Sequence, residues 1–252
     1  AVTFSHSKAD GSADAEALLD IIRTGREGDA VLIHACCHNP SGVDYTADQW
    51  DSIADALADS RVLPIIDSAY QGLGEGMEED AAGLRKVLAK VPYALVAYSC
   101  DKNFGLYRDR VGAFYVKVAK PDELSASMSN ASALARANWS MPPDHGGAAV
   151  RIVLGDEGLR KVWLDELETM RKRLRWVRAY LAGSDNKVEG VPLAHLEEQN
   201  GLFAMLPLGK DQIAKLRSDH AVYMAGSGRI NIAGLTKGNI DKFVAALADV
   251  AG

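Results

Sequence analysis

The sequence predicts an α/β fold: a mostly parallel sheet covered by helices, followed by a smaller α+β region toward the C terminus. Three observations carry this. Apolar, strand-like runs alternate with amphipathic helical segments through the first two thirds of the chain, the pattern of a sheet wrapped by helices. The run "AVLIHAC" is apolar without alternation, as in a strand covered on both faces. Finally, the long charged segment "GDEGLRKVWLDELETMRKRLRWVRAYLAGS" separates this region from a set of short strands and helices.

Each element follows from local pattern. "AVTFS" reads as a short opening strand, and "DAEALLDIIRTG" as a helix with Ala15, Leu18, Leu19 and Ile22 on one face. After "AVLIHAC", the segment "TADQWDSIADALADS" opens on Thr46 with Gln49 three residues on, a capping box. "VLPIID" is the next strand, "EEDAAGLRKVLAKV" the next helix, and "YALVAYS" and "VGAFYVKV" two further strands. "PDELSASMSNASALARANWS" is helical with Pro121 near its start. The long helix, about residues 157–182, reads as a strut joining a domain over 1–168 to one over 169–252. The second region contains "GLFAMLPL", "VYMA" and "RINIAGL" as strands, "KDQIAKLRSDH" as a helix, and "TKGNIDKFVAALADV" as a last helix capped by Thr236.

Composition narrows the function. Across 252 residues, 48% are hydrophobic and 25% charged, ordinary for a globular protein, and the net charge is −6. That balance argues against nucleic-acid binding, which needs clustered excess Lys and Arg. No apolar run is long enough to span a bilayer, and the first thirty residues lack a basic start followed by an apolar core. Cys36, Cys37 and Cys100 cannot all pair, and they read as small buried residues of a reducing cytoplasm. No spacing of Cys and His suggests a metal site.

In open α/β sheets, ligands gather outside the carboxyl ends of the strands. Three strand ends carry unusual polar groups: His38 and Asn39 in "VLIHACCHNPSG", Asp67 and Tyr70 in "VLPIIDSAYQGLGEG", and Ser99, Lys102 and Arg110 in "YALVAYSCDKNFGLYRDR". Singly, each has a plain explanation: Asn39-Pro40 is a turn opener, Asp67 a cap, Lys102 a solvated amine. Together they supply a carboxylate, an amide, a phenol, an amine and a guanidinium. An amine attacks an aldehyde when desolvation or nearby positive charge lowers its pKa. A carboxylate such as Asp67 holds a pyridine nitrogen protonated, Asn39 and Tyr70 suit a ring oxygen, and Ser99 and Arg110 suit a phosphate. These are the parts of a pyridoxal-phosphate site. "GLGEG" has the wrong glycine spacing for a dinucleotide loop.

"HNPSG", "DSAYQG", "SCDKNFGLYRDRVG", "RANWSMPPDHG" and "SGRINIAG" occur in this order along the chain, and the sequence resembles the class I pyridoxal-phosphate aminotransferases, most closely the aspartate and aromatic amino-acid branch. The resemblance implies the fold type I architecture of pyridoxal-phosphate transferases, with an incomplete large domain at 1–168 and a small C-terminal domain at 169–252. It implies a ping-pong transamination between an aspartate-like or aromatic L-amino acid and a 2-oxo acid such as 2-oxoglutarate. Lys102 would form the aldimine and shuttle the proton, Asp67 would pair with the pyridine nitrogen, and Asn39 and Tyr70 would contact the ring oxygen. Ser99 and Arg110 match phosphate ligands. Arg229 matches the arginine for the substrate's α-carboxylate, with Asn39 beside it, and Arg136 the arginine that meets a distal carboxylate across a homodimer. On residues alone, Arg229 reads equally well as a surface residue after a glycine turn, and Arg136 as a cation at a helix C terminus. A decarboxylase or lyase on the same scaffold and an inactive remnant are the rival readings.

Two departures stand out. Asp101 precedes Lys102 where relatives commonly carry serine or alanine, and an acid there is unfavourable unless it points away or pairs with Arg108. Met141 stands where asparagine is frequent, a packing change. The family's N-terminal portion, which supplies a phosphate-cradling helix N terminus, an aromatic ring for the cofactor and a tyrosine for the partner subunit, is not matched in the sequence. The expectation is therefore the C-terminal part of a longer protein. Alone, it is expected to bind pyridoxal phosphate weakly or not at all and to aggregate through uncovered apolar surface.

Overall fold

Residues 1–8 and 10–251 are described by a computed structural model. One four-stranded sheet has the order β1 (Ala30–His34), β2 (Leu63–Ser68), β3 (Ala94–Ser99), β4 (Gly112–Lys117). Pairs β1–β2 and β2–β3 are parallel, and β3–β4 is antiparallel. Register places Ile33 beside Ile66 and Ile66 beside Val96, so these apolar side chains share one face. Helices α1 (Ala15–Thr24), α2 (Ala47–Asp59) and α3 (Ala82–Lys90) close that face with Leu18, Ile22, Ile53, Leu57 and Val87. Each fully buried Leu or Ile contributes about 1.5–3 kcal/mol. The α2 capping box forms as the sequence predicts: Thr46 Oγ1 accepts the Gln49 amide at 3.2 Å, and Gln49 Oε1 accepts the Thr46 amide at 2.9 Å.

The opposite face is open at its edges. Leu32 is 59% exposed on β1, and Phe114 and Tyr115 are 59% and 57% exposed on β4, so the two-sided cover expected of "AVLIHAC" is missing at Leu32.

After α4 (Pro121–Trp139) and α5 (His145–Gly155) comes α6 (Glu157–Ala182), whose 26 residues span about 39 Å. Its buried stripe, Leu167, Leu174, Val177, Arg178 and Leu181, enters a second core. That core also takes in the two-stranded sheet of β5 (Phe203–Met205) and β6 (Arg229–Asn231), together with α7 (Lys210–His220) and α8 (Ile240–Ala251). Cys36, Cys37, Tyr70 and Leu73 from the strand ends belong to the same core, which ties the C-terminal elements to the sheet.

Three expectations change. "AVTFS" is not a strand: the first residues have no ladder partner, and only an isolated bridge, Ser7 to Ala13, forms nearby. "VYMA" is not a strand either: β6 takes β5 as its partner, and Ala225 makes only turn bonds, its amide donating to the Arg229 carbonyl at 3.4 Å and its carbonyl accepting the Gly228 amide at 3.0 Å. Helix α5 lies where no element was expected. The last helix, α8, begins at Ile240, later than expected, and Thr236 caps the turn before it: its Oγ1 accepts the Gly238 amide and its carbonyl accepts the Ile240 amide. Among the described residues no helix is long and apolar enough to cross a membrane, and all three cysteines are buried and free.

Candidate active site at the strand ends

The link between β3 and β4 is a hairpin loop, since the strands run antiparallel with Ser99 opposite Gly112. The Cys100 amide donates to the Val111 carbonyl at 2.9 Å, closing the neck and bringing Lys102 and Arg110 to one rim. Asn103, 1% exposed, anchors the loop by donating to the Gln71 carbonyl at 3.1 Å and the Tyr98 hydroxyl at 2.7 Å. Helix α6 braces it from outside: Trp163 stacks on Phe104 with ring centroids 4.4 Å apart and donates to the Asn103 carbonyl at 2.8 Å.

Lys102 Nζ lies 5.0 Å from the centre of the Tyr70 ring and 6.0 Å from that of Tyr107. The Tyr70 hydroxyl accepts from Asn39 Nδ2 at 3.3 Å, and Asn39 Oδ1 accepts from Arg229 Nη1 at 3.2 Å. Phe203 fills the remaining side, edge-on to Tyr70 at 6.4 Å and beneath Arg229 at 4.8 Å. One connected group thus holds an amine, a phenol, an amide and a guanidinium drawn from three loops and β6. The Tyr70 phenol is pushed up from its ordinary value, chiefly by burial and further by Asp67 and Tyr107, against the lowering effect of the Asn39 hydrogen bond.

Asp67, next to last on β2, is half-buried, with His34 as its strand neighbour on one side and Ala97 on the other. Its charge raises the His34 imidazole, but burial outweighs it and His34 is lowered overall. His34 Nδ1 accepts the Asn39 amide at 3.2 Å, setting the loop that carries Asn39. Ser99 Oγ accepts the Asp101 amide at 3.1 Å. Asp101 pairs with Arg110 at 3.0 Å, and not with Arg108 as the sequence suggested. Arg136 stands apart, exposed on the last turn of α4. The fold therefore gathers Asn39, Tyr70, Lys102 and Arg229 directly, sets Ser99, Asp101 and Arg110 beside Lys102, and leaves Arg136 outside.

Several supporting residues escaped the sequence reading. Arg178, 1% exposed, donates to the carbonyls of Asn200, Gly201 and Phe203 at 2.7, 3.0 and 2.8 Å. Burial lowers its guanidinium to about 10, although the negative fields of Cys37 and Asp44 oppose this. Asp44 accepts the amides of Cys37 and His38 at 2.9 and 3.0 Å and the Asn200 side chain at 3.3 Å. This pair locks the segment carrying Phe203 to the loop carrying Asn39. A signal for Arg178 exists: it falls on the apolar stripe of α6, four residues after Leu174 and three before Leu181.

The "GLGEG" loop wraps an internal carboxylate. Asp80 accepts the amides of Gly72, Gly74, Glu75 and Gly76 at 2.8, 3.0, 2.7 and 3.4 Å. Ligand-type atoms of Cys36, Cys37 and Asp80 lie within 4.8 Å of one another, a buried trio that spacing did not reveal, with the Asp80 oxygens already accepting those four amides.

Comparison with known proteins identifies the family. Tyrosine aminotransferase of Rhizobium meliloti is 47% identical over 218 residues, covering 86% of this chain and 56% of that protein. Aspartate aminotransferase of Escherichia coli is 39% identical over 238 residues, covering 94% and 60% respectively. The structure of an aromatic-amino-acid aminotransferase from Burkholderia pseudomallei, described as covalently bound to pyridoxal phosphate, superposes with a TM-score of 0.95 at 34% identity over all of this chain and 63% of that one. The chain thus spans about 60% of the length of the curated relatives it matches. The model of the family "Aminotransferase class I and II" matches residues 1–247, and the chain belongs to that family, on its aspartate and aromatic amino-acid branch.

Proposed function

We propose that the protein takes part in pyridoxal-phosphate-dependent transamination between an aspartate-like or aromatic L-amino acid and a 2-oxo acid such as 2-oxoglutarate. The observation that carries this reading is the single cluster of Lys102, Tyr70, Asn39 and Arg229 at the strand ends. The donor set suits the cofactor: Asp67 for the pyridine nitrogen, Asn39 and Tyr70 for the ring oxygen, Ser99 and Arg110 for the phosphate. Bound there, pyridoxal phosphate would supply an electron sink that makes the Cα–H bond of an amino acid acidic.

The chain's own groups do the rest. Lys102 Nζ would hold the cofactor at its aldehyde carbon until the substrate's amine displaces it, and the amine so freed would take the proton from the substrate's Cα. Tyr70, under Lys102, orients that amine and meets the ring oxygen. Arg229 holds the α-carboxylate with its planar fork, its orientation fixed by Asn39 and the Phe203 ring. Arg136, exposed on α4, serves a distal carboxylate in the partner's site of a homodimer. The domain division at residues 1–168 and 169–252 belongs to the same proposal; the C-terminal elements have a hydrophobic cluster that also takes in Cys36, Cys37, Tyr70 and Leu73 from the strand ends. Three buried free cysteines support a reducing, cytoplasmic setting.

The test is product analysis. With pyridoxal phosphate, aspartate and 2-oxoglutarate, the protein should form oxaloacetate and glutamate in equal amounts, and phenylalanine should give phenylpyruvate. Alanine from aspartate would point to decarboxylation and overturn the reading.

A further inference from the structure

Asp101 has no part in the chemistry above, yet it lies between two of the site's cations. Its side chain is 11% exposed. Oδ2 accepts from Arg110 Nη1 at 3.0 Å and lies 4.0 Å from Lys102 Nζ. The Asp101 amide donates to Ser99 Oγ at 3.1 Å, which holds this turn of the loop. Its negative charge reaches the neighbours: after burial, it is the next cause raising both the Cys100 thiol and the Tyr107 phenol. Arg110, by contrast, is 71% exposed on its side chain, so the rest of its fork faces solvent and is free to meet a ligand. An anion arriving between Lys102 and Arg110 therefore enters a corner already holding one negative charge against two positive ones.

We propose that Asp101 is a built-in counter-anion of this corner, competing with an incoming phosphate group for Arg110 and so setting how tightly the site takes phosphorylated ligands. The proposal rests on the reading of Ser99 and Arg110 as the phosphate's ligands. A carboxylate that merely held the loop's shape would act through its hydrogen bond. A counter-anion acts through its charge. Asp101→Asn separates the two, because the amide oxygen can still accept from Arg110 while the charge is gone.

The experiment titrates the protein and its Asp101→Asn and Asp101→Ser variants with three probes: inorganic phosphate, pyridoxal phosphate and unphosphorylated pyridoxal. Matched near-UV spectra would show that the fold is retained. The neutral variants should bind phosphate and pyridoxal phosphate about tenfold more tightly, with pyridoxal unchanged, and the gain should shrink as salt rises. Tighter phosphate binding without any pyridoxal phosphate binding would support the counter-anion while removing the cofactor reading. Pyridoxal phosphate binding with unchanged or weakened affinity in both variants would overturn the counter-anion and leave the cofactor reading standing. Failure of every protein to bind inorganic phosphate would also overturn it.

Discussion

Arg178 shows how one residue can support a site it does not enter. Its guanidinium gathers the carbonyls of Asn200, Gly201 and Phe203, with weaker bonds at 3.4 Å to the Leu196 carbonyl and 3.3 Å to Gln199 Oε1. Replacement by methionine keeps the apolar stem but strands several buried acceptors, each costing about 1–3 kcal/mol. The expected loss is about 3–5 kcal/mol, read as a fall in the urea midpoint. Lysine should rescue little, since a single ammonium cannot reproduce the planar fork. A methionine variant within 1 kcal/mol of the parent, an order-of-magnitude bound, would show that water or a rearranged loop replaces the guanidinium. In sequence, Arg178 sits among four other cations within "MRKRLRWVR", and nothing in composition marks it as the buried one. Only its place on the apolar stripe does. Asp44 gave no such signal, because its partners are backbone amides and Asn200, 156 residues away.

At the scale of elements, the packing of α2 against α3 gives a sharp case. A Cβ on Gly83 would run into the indole of Trp50, which is only 6% exposed and held edge-on by Tyr45. Alanine favours a helix over glycine by about 1 kcal/mol, whereas overpacking a filled core costs about 1–3 kcal/mol. The clash should win, and Gly83→Ala should lower the thermal midpoint. A raised midpoint would mean that the two helices slide apart freely.

Elements defined by local pattern were legible in the sequence: the capped α2, Pro121 at the start of α4, the long α6 and the apolar strands. Those that depend on a partner were not. "AVTFS" and "VYMA" have strand composition, yet a strand exists only where another backbone takes its hydrogen bonds. Likewise the motifs named Lys102, Asn39, Tyr70 and Arg229 from sequence, but the ion pair of Asp101 with Arg110 needed the hairpin's geometry.

For the whole molecule, the clearest consequence concerns acid. His6, His34 and His38 cluster beside β1: His6 stacks on His38 at 3.5 Å, and His34 lies 4.9 Å from His38. All three imidazoles are lowered, first by burial, with His38 reaching about 3 as His6 and His34 add repulsion. Asp44 and Asp67 oppose this only partly. A group bound less readily to protons in the folded state than in the unfolded chain, where histidine titrates near 6.5, contributes stability above about pH 6.5 and loses it as pH falls toward the folded value. Asp44, raised by burial, has the opposite sign. His195 is lowered by burial as well and Asp80 raised by it, so four imidazoles stand against two carboxylates, and the urea midpoint should fall between neutral pH and about pH 5. His38→Asn, which keeps a polar partner for Ser41 Oγ, should narrow the fall. A midpoint that rises over this range would contradict the arrangement.

The central claim is that Lys102 is the amine that captures the cofactor at this strand-end cluster. Its most direct test is borohydride reduction in the presence of excess pyridoxal phosphate, followed by peptide mapping. The account predicts a stable label concentrated on Lys102, weakened when Asp67→Ala removes the carboxylate for the ring nitrogen. Label spread over other lysines with Lys102 unmodified would contradict it.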